Sequence, residues 1–80
     1  MHYVHFLRSV SRPTKKYVGM TEDVPARISK HNAGEVSSSS RWRPWELVTY
    51  IAVQPSEHAA KLEQYLKSGS GHAFAHRHLL

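Results

Sequence analysis

Residues 17–32, with the sequence YVGMTEDVPARISKHN, decide the fold that we predict for this chain. The first four residues favour a β-strand, and Asp23 is suited to cap the helix that follows. Within that helix Arg27 and His31 are four residues apart, which places both side chains on one face. The stretch therefore predicts a strand, a tight turn and a helix that presents two phosphate-seeking groups together.

The composition indicates one small basic domain, residues 1–80. The chain has 80 residues and no cysteine, so a disulfide framework is excluded. Eleven Lys and Arg against six Asp and Glu give a net charge of +5, which favours polyanionic partners. The apolar run at the start is too short for a secretory signal, and no stretch approaches 18 apolar residues. We therefore expect a cytoplasmic protein without a membrane association. The sequence does not indicate an oligomeric state.

The chain reads as a small α/β fold with the element order β-β-α-β-α-α. Segments rich in aromatic and β-branched residues predict three strands of a mainly antiparallel sheet flanked by helices: Tyr3–Leu7, Lys16–Met20 and Glu46–Val53. The last of these is the most β-prone, and we expect it to be the central strand. Period two places His5 on one face of the first strand, so His5 and Tyr17 can stand side by side if the first two strands are antiparallel neighbours. Gly19 would let a backbone or a phosphate come close.

Three helices are predicted from their caps. The first ends at Asn32-Ala33-Gly34, the second starts with Ser56 as its N-cap and runs to about Lys67, and the third covers His72–Leu80 with Phe74 turned inward.

Glu63 is the unusual residue of the second helix. It lies inside the apolar stripe formed by Ala59, Leu62 and Leu66. Burying a carboxylate without a partner costs several kcal/mol. Glu63 must therefore meet either a metal ion or a basic residue, with a salt bridge to Arg27 or to a lysine as the purely structural alternative.

The segment from Glu35 to Arg43 combines four serines with Arg41, Trp42 and Arg43. Such a loop could lie along a nucleic-acid backbone. It could equally be a flexible connection whose arginines point into solvent. Trp45, which follows it, is expected to pack in the core.

Taken together, these residues resemble the GIY-YIG nuclease superfamily over nearly all 80 residues. The similarity is closest to its small stand-alone bacterial members, which are related to the nuclease module of the excision-repair subunit that makes the 3′ incision. The residues that carry the resemblance are, in order, Tyr17-Val18-Gly19, Arg27, His31-Asn32, Arg43-Pro44-Trp45, Glu63 and Tyr65-Leu66-Lys67-Ser68-Gly69.

The resemblance implies a role for each matching position. The second tyrosine of the family falls on Tyr17, its phosphate-binding arginine on Arg27, a histidine found in several members on His31, and its metal-ligating glutamate on Glu63. The first triplet departs from the pattern, because His5 stands where the family has a tyrosine that is often assigned as the general base. With an unperturbed pKa of about 6.5, a histidine is the better proton acceptor at neutral pH.

The implied function is a metal-dependent endonuclease that cleaves DNA, or alternatively RNA, in repair or processing, with a repair protein as a possible partner. One Mg²⁺ or Mn²⁺ ion would be held by Glu63. Arg27 would contact the phosphate, and His31 would contact the phosphate or protonate the leaving group. Tyr17 would orient the attacking water or share the role of general base. Residues expected to contact nucleic acid are Gly19, Arg41, Arg43 and Lys67. The alternative is a module of the same fold that binds nucleic acid without cutting it.

The seven histidines also allow a zinc site at the C-terminal end of the chain. His72 and His76 are at i, i+4 with His78 close by, a spacing that can bind zinc. No cysteine or nearby carboxylate completes the set, so solvated positions on a terminal helix explain these histidines more simply.

Overall fold

The computed structural model describes all 80 residues and confirms the element order β-β-α-β-α-α. The strands are β1 (His2–Ser9), β2 (Lys16–Thr21) and β3 (Trp45–Val53). The helices are α1 (Val24–Asn32), α2 (Ser56–Lys67) and α3 (Gly69–His78), and a short 3₁₀ turn covers Ser40–Trp42. No helix combines the length and the apolar character that a bilayer crossing requires.

The sheet is antiparallel with the strand order β2-β1-β3, so β1 is its central strand. The prediction that β3 is central was wrong. Residues Val4 to Leu7 of β1 are almost completely buried, as a strand paired on both edges and covered on both faces must be. In β3, by contrast, Leu47 and Tyr50 are exposed. High β-propensity reports a good fit to a pleated surface and does not report position within the sheet.

The two faces of the sheet have different tasks. Val4 and Phe6 point to one face, where they form the core with Ala59 and Leu66 of α2 and Ala75 of α3. His5 lies between Val4 and Phe6 in β1, so its side chain points to the opposite face. This hydrophobic core therefore occupies one side of the sheet, and the buried apolar residues Leu7, Val24 and Trp45 lie outside it.

The ends of α1 agree with the prediction. The Asp23 carboxylate accepts a hydrogen bond from the Ala26 backbone N–H at 3.0 Å, and the chain leaves the helix through Ala33 and through Gly34, whose φ is +78°. These caps fix α1 in the position from which Arg27 and His31 reach the sheet.

The caps of the other two helices differ from the prediction. The N-cap position of α2 is Pro55, and Ser56 is the first helical residue. Helix α3 starts earlier than predicted, because the Ser68 hydroxyl accepts a hydrogen bond from the Gly71 N–H at 3.2 Å and so nucleates the helix at residue 69. Phe74 is 43% exposed rather than tucked inward. The face of α3 that packs is formed by the small residues Gly71 and Ala75.

Asn32 ties the end of α1 to the start of β3. Its Oδ1 accepts a hydrogen bond from the Trp45 backbone N–H at 2.6 Å, and its Nδ2 donates to the Trp45 carbonyl at 3.1 Å. One side chain thus satisfies both backbone groups of Trp45 and holds the helix and the strand at a fixed distance.

We predict that Asn32→Ala lowers the free energy of unfolding by about 1–3 kcal/mol, because the Trp45 backbone groups lose both partners. Urea denaturation measures this change. The Asn32→Asp variant retains the accepting oxygen and loses only the donor, so its loss should be smaller. Equal stability of Asn32→Ala and the native chain would show that the two hydrogen bonds contribute nothing.

Candidate active site

His5 and Tyr17 stand next to each other on the face of the sheet opposite the hydrophobic core, as predicted. His5 pairs with Gly19 across β1 and β2, which makes Tyr17 its diagonal neighbour, and the two ring centroids are 6.3 Å apart. A side chain at position 19 would place its Cβ 2.9 Å from a ring carbon of His5 and 2.9 Å from one of Tyr17. Only glycine fits there, since the two rings fill the space above it. The predicted contact of Gly19 with nucleic acid stays a prediction.

Helix α1 adds His31 and Arg27 to these two residues. The His31 ring is buried, with its centroid 4.4 Å from that of Tyr17 and 6.3 Å from that of His5. Arg27 lies one helical turn earlier, and its charge lowers the pKa of both histidines. The fold therefore gathers His5, Tyr17, Arg27 and His31 into one group, which we call the four-residue cluster. Trp45 is buried as predicted and forms a wall of the cluster, with its ring 6.3 Å from Tyr17.

Ser39 fixes the tautomer of His31. The Ser39 hydroxyl donates to the Val36 carbonyl at 3.2 Å and lies 2.5 Å from Nδ1 of His31. A hydroxyl has one proton to donate, and we assign it to the Val36 carbonyl, so that Ser39 accepts from the imidazole and His31 carries its proton on Nδ1. Its Nε2 is consequently an acceptor. Sequence analysis missed this role because Ser39 is one of four consecutive serines and nothing local distinguishes it.

Burial and neighbouring charge keep both histidines neutral. The pKa of His5 falls from 6.5 to about 4, first because burial disfavours the charged ring and then because His31 and Arg27 lie close. The pKa of His31 is also lowered, by burial and by Arg27. This corrects the expectation that His5 titrates near its unperturbed value. An anion bound beside the two rings would act in the opposite direction and raise both pKa values.

Every buried side-chain nitrogen or oxygen that lacks a hydrogen-bond partner belongs to this cluster. The atoms are Nδ1 and Nε2 of His5, Nε2 of His31 and Nε of Arg27. Buried polar groups normally have partners, and each one without a partner costs about 1–3 kcal/mol. A guanidinium donor next to imidazole acceptors suits a ligand that combines anionic oxygens with a transferable proton, such as a phosphate with a water molecule. Arg27 also lines an open groove of about 270 Å³ together with Lys30, Glu22 and Asp23, and no other member of the cluster lines that groove.

Glu63 is not joined to the four-residue cluster by a hydrogen bond or an ion pair. It lies on α2, the helix whose residues Ala59 and Leu66 pack on the core face of the sheet. Its side chain is 19% exposed and pairs with Lys67 at 3.6 Å, and it forms no hydrogen bond or ion pair with Arg27, His5 or Tyr17. Of the alternatives considered for Glu63, the structure therefore contains the lysine pair. No cavity is lined by both Glu63 and a member of the cluster.

The remaining sequence-predicted residues lie outside the cluster. Arg41 is exposed beside Trp42, and the guanidinium of Arg43 lies against Gly34. Lys67 is half-exposed next to Glu63. Their nucleic-acid contacts stay predictions. The imidazoles of His72 and His76 are adjacent, with centroids 4.7 Å apart, but no group of three potential metal ligands exists anywhere in the chain, so the zinc alternative lacks a third ligand.

Comparison with known proteins gives a consistent result. A family model described as the GIY-YIG catalytic domain matches residues 1–74. Among curated proteins, the chain is similar to the structure-specific endonuclease subunit SLX1 of Chaetomium globosum, with 38% identity over 65 residues that cover 75% of this chain and 20% of the relative. The SLX1 subunit of Debaryomyces hansenii is 32% identical over 84 residues, which cover 95% of this chain and 23% of the relative.

A third relative, the SLX1 subunit of Podospora anserina, is 37% identical over 65 residues and covers 75% of this chain and 19% of its own. The chain thus spans about a fifth of the length of the curated relatives it matches. The narrower resemblance to small bacterial members and to the excision-repair nuclease stays a prediction.

The lowered pKa of His5 predicts a specific loss of stability in acid. The folded pKa of about 4 lies below the unfolded value of 6.5, so the unfolded chain binds more protons between these values. The free energy of unfolding is therefore highest above pH 6.5 and falls as the pH drops towards 4, by roughly 3 kcal/mol from His5 alone. His31 contributes in the same direction.

Urea denaturation between pH 7 and pH 4.5 measures this loss. In His5→Phe the ring no longer titrates, and we expect the slope of stability against pH to flatten relative to the native chain. The exposed His58 of α2 provides a matched control, and His58→Gln should keep the native slope. If His5→Phe and the native chain lose stability in parallel, the buried imidazole is not the titrating group.

Proposed function

The chain belongs to the GIY-YIG family, and on that premise we propose that it is a metal-dependent endonuclease that hydrolyses phosphodiester bonds in DNA. The observation that carries the proposal is the four-residue cluster. It concentrates all the unpartnered buried polar atoms of the chain around one guanidinium on one face of the sheet. A stable domain of this size has no structural use for such an arrangement, whereas a phosphate would supply the missing partners.

Arg27 would bind the scissile phosphate. The guanidinium is permanently charged and offers several donors in a planar fork. Its Nε has no partner inside the chain, so it is free to donate to a phosphate oxygen. During hydrolysis negative charge builds up on these oxygens, and a donor that is already in position stabilises the charge without reorganisation.

The two histidines would handle the proton of the attacking water. His31 is neutral, and its buried Nε2 carries no proton and has no partner, which suits it to accept a proton either directly or through the hydroxyl of Tyr17. This departs from the expectation that His31 donates to the leaving group, although once protonated it could do so. His5, in the place of the family's tyrosine, would be a second acceptor whose low pKa rises when the phosphate enters.

The metal ion is the part of the proposal that depends on Glu63. A single half-buried carboxylate, with no further acidic or histidine ligands grouped around it, cannot form a closed protein cage. This donor set fits Mg²⁺ or Mn²⁺, which retains water molecules and takes its other oxygens from the substrate phosphate. When bound, the ion would act as a Lewis acid on the phosphate. To hold the ion, Glu63 would have to exchange its contact with Lys67.

The names of the relatives support a substrate that is recognised by its structure. They are described as structure-specific endonuclease subunits. By analogy we propose that this chain cleaves branched or nicked DNA in repair or processing in the cytoplasm. The term subunit is also compatible with a partner protein. RNA is the alternative substrate, and duplex RNA of the same branch geometry distinguishes the two in the same assay.

We predict Mg²⁺- or Mn²⁺-dependent cutting of a labelled flap or nicked duplex by the native chain, and none in the presence of EDTA. Arg27→Ala and Glu63→Ala should each lower the single-turnover rate by at least about 100-fold, because each removes a group that stabilises charge in the transition state. Glu57→Ala on α2 and Arg77→Ala on α3 remove the same charges from exposed positions and should cut at the native rate. Undiminished cutting by both Arg27→Ala and Glu63→Ala would refute the proposed mechanism.

A second candidate function is binding of nucleic acid without cleavage. The position of Glu63 favours it, because this carboxylate pairs with Lys67 and forms no hydrogen bond or ion pair with the four-residue cluster. A pure binder would bind DNA in a salt-dependent manner. It would leave all substrates intact with every divalent metal, and Arg27→Ala would weaken its binding.

A further inference from the structure

Three cations surround the indole ring of Trp42, a residue outside the four-residue cluster. The guanidinium of Arg12 and the ammonium of Lys15 each lie 5.1 Å from the ring centroid, and the guanidinium of Arg41 lies at 4.7 Å. Since all three lie about 5 Å from one point, no two are more than about 10 Å apart. We call these four residues the Trp42 patch.

The cations of the Trp42 patch have no acidic partner. The three ion pairs of the chain involve other basic residues, namely His2, Arg8 and Lys67. The cations lie no more than about 10 Å apart, which is comparable with the Debye length of about 8 Å at physiological salt, so they repel one another. Contact with the ring offsets part of this repulsion, at about 0.5–1 kcal/mol for each exposed cation, but it does not neutralise the charge. The patch is therefore a concentrated positive field without a counterion.

Backbone hydrogen bonds hold this field in place. The β1–β2 loop is closed by the Ser9 N–H, which donates to the Lys15 carbonyl at 3.0 Å, and by the Lys15 N–H, which donates to the Arg12 carbonyl at 2.8 Å. The Val10 N–H donates to the Pro44 carbonyl at 2.9 Å and joins this loop to the segment before β3. Arg12 and Lys15 are thus exposed side chains on a fixed frame.

The segment between α1 and β3 connects the Trp42 patch to the four-residue cluster. Ser39, which is bonded to His31, comes three residues before Trp42, and the Trp42 N–H donates to its carbonyl at 3.2 Å. Three residues of chain reach at most about 11 Å. Trp42 consequently lies within about 11 Å of Ser39, the residue that is bonded to His31.

We propose that the Trp42 patch binds the phosphate backbone of the DNA next to the bond that is cut. The proposal rests on the proposed function and specifies how the substrate is held. One strand of a duplex carries a phosphate every 3.4 Å of helix axis, so a patch about 10 Å wide faces two or three phosphates. The indole ring holds the cations together through cation–π contacts. Because the ring is half-buried, its faces do not serve for stacking with bases. Phosphate contacts carry no sequence information, so the patch sets the position of the DNA and not its sequence.

The test compares two double variants that lose the same charge. Arg12→Gln/Lys15→Gln removes two cations of the patch, and Lys61→Gln/Arg77→Gln removes two exposed cations from α2 and α3. Fluorescence anisotropy with a labelled nicked duplex, without divalent metal and over about 50–200 mM NaCl, gives the affinity and its salt slope. For the patch variant we expect a slope shallower by about two and an affinity at least about tenfold lower, with an unchanged single-turnover rate at saturating DNA. The α2/α3 variant should keep the native slope.

A third variant, Trp42→Leu, keeps every charge and removes the ring, and we expect it to lose affinity several-fold while circular dichroism shows an intact fold. Equal effects of the two double variants would overturn the proposal, because net charge alone would then explain binding. That result, together with intact cleavage, leaves the endonuclease assignment standing. A native chain that never cleaves but shows the expected difference in slope overturns the endonuclease assignment and leaves the patch standing.

Discussion

The site depends on one constraint, which is that two imidazoles and a guanidinium lie together with four of their buried nitrogen atoms lacking hydrogen-bond partners. Burial lowers the pKa of both His5 and His31, so both rings are neutral beside the charged guanidinium of Arg27. The arrangement is stable only as long as the histidines stay neutral, and it leaves four nitrogen atoms unsatisfied. In a domain of 80 residues, whose net stability is of the order of 5–15 kcal/mol, this is a substantial cost. A phosphate ligand would offset this cost, because its oxygens would accept hydrogen bonds from Arg27 and its negative charge would favour protonation of the two rings.

The rest of the fold keeps these groups in place. His5 is held on the central strand, which is paired on both edges and carries the hydrophobic core on its other face. Gly19 has no side chain and so leaves room for the His5 ring. His31 is oriented by Ser39, and the helix that carries it is tied to β3 by Asn32. Each of these contacts joins segments distant in sequence, so the geometry of the site depends on the whole domain.

Much of this arrangement could be predicted from the sequence where local rules apply. The spacing of Arg27 and His31 placed both on one face of a helix, and period two placed His5 beside Tyr17. The strand order could not be predicted, because it depends on pairing between distant segments rather than on propensity. The bond between Ser39 and His31 depends on the path of a loop that carries no periodic signal. Nor could the sequence give the pKa of His5, which follows from the depth of its burial.

The position of Glu63 inside an apolar helical stripe could be read from the sequence. Spacing alone does not specify which partner a carboxylate finds, and here the partner is a lysine one turn away.

The most direct test of the account is the protonation of the two buried imidazoles, which long-range ¹H–¹⁵N NMR of the native chain resolves. We predict that at pH 7 His31 carries its only proton on Nδ1, that both rings have a pKa below 6.5, and that a metal-free DNA duplex raises both pKa values. A His31 proton on Nε2, or pKa values near 6.5 that DNA leaves unchanged, would contradict the claim that these residues form a phosphate site.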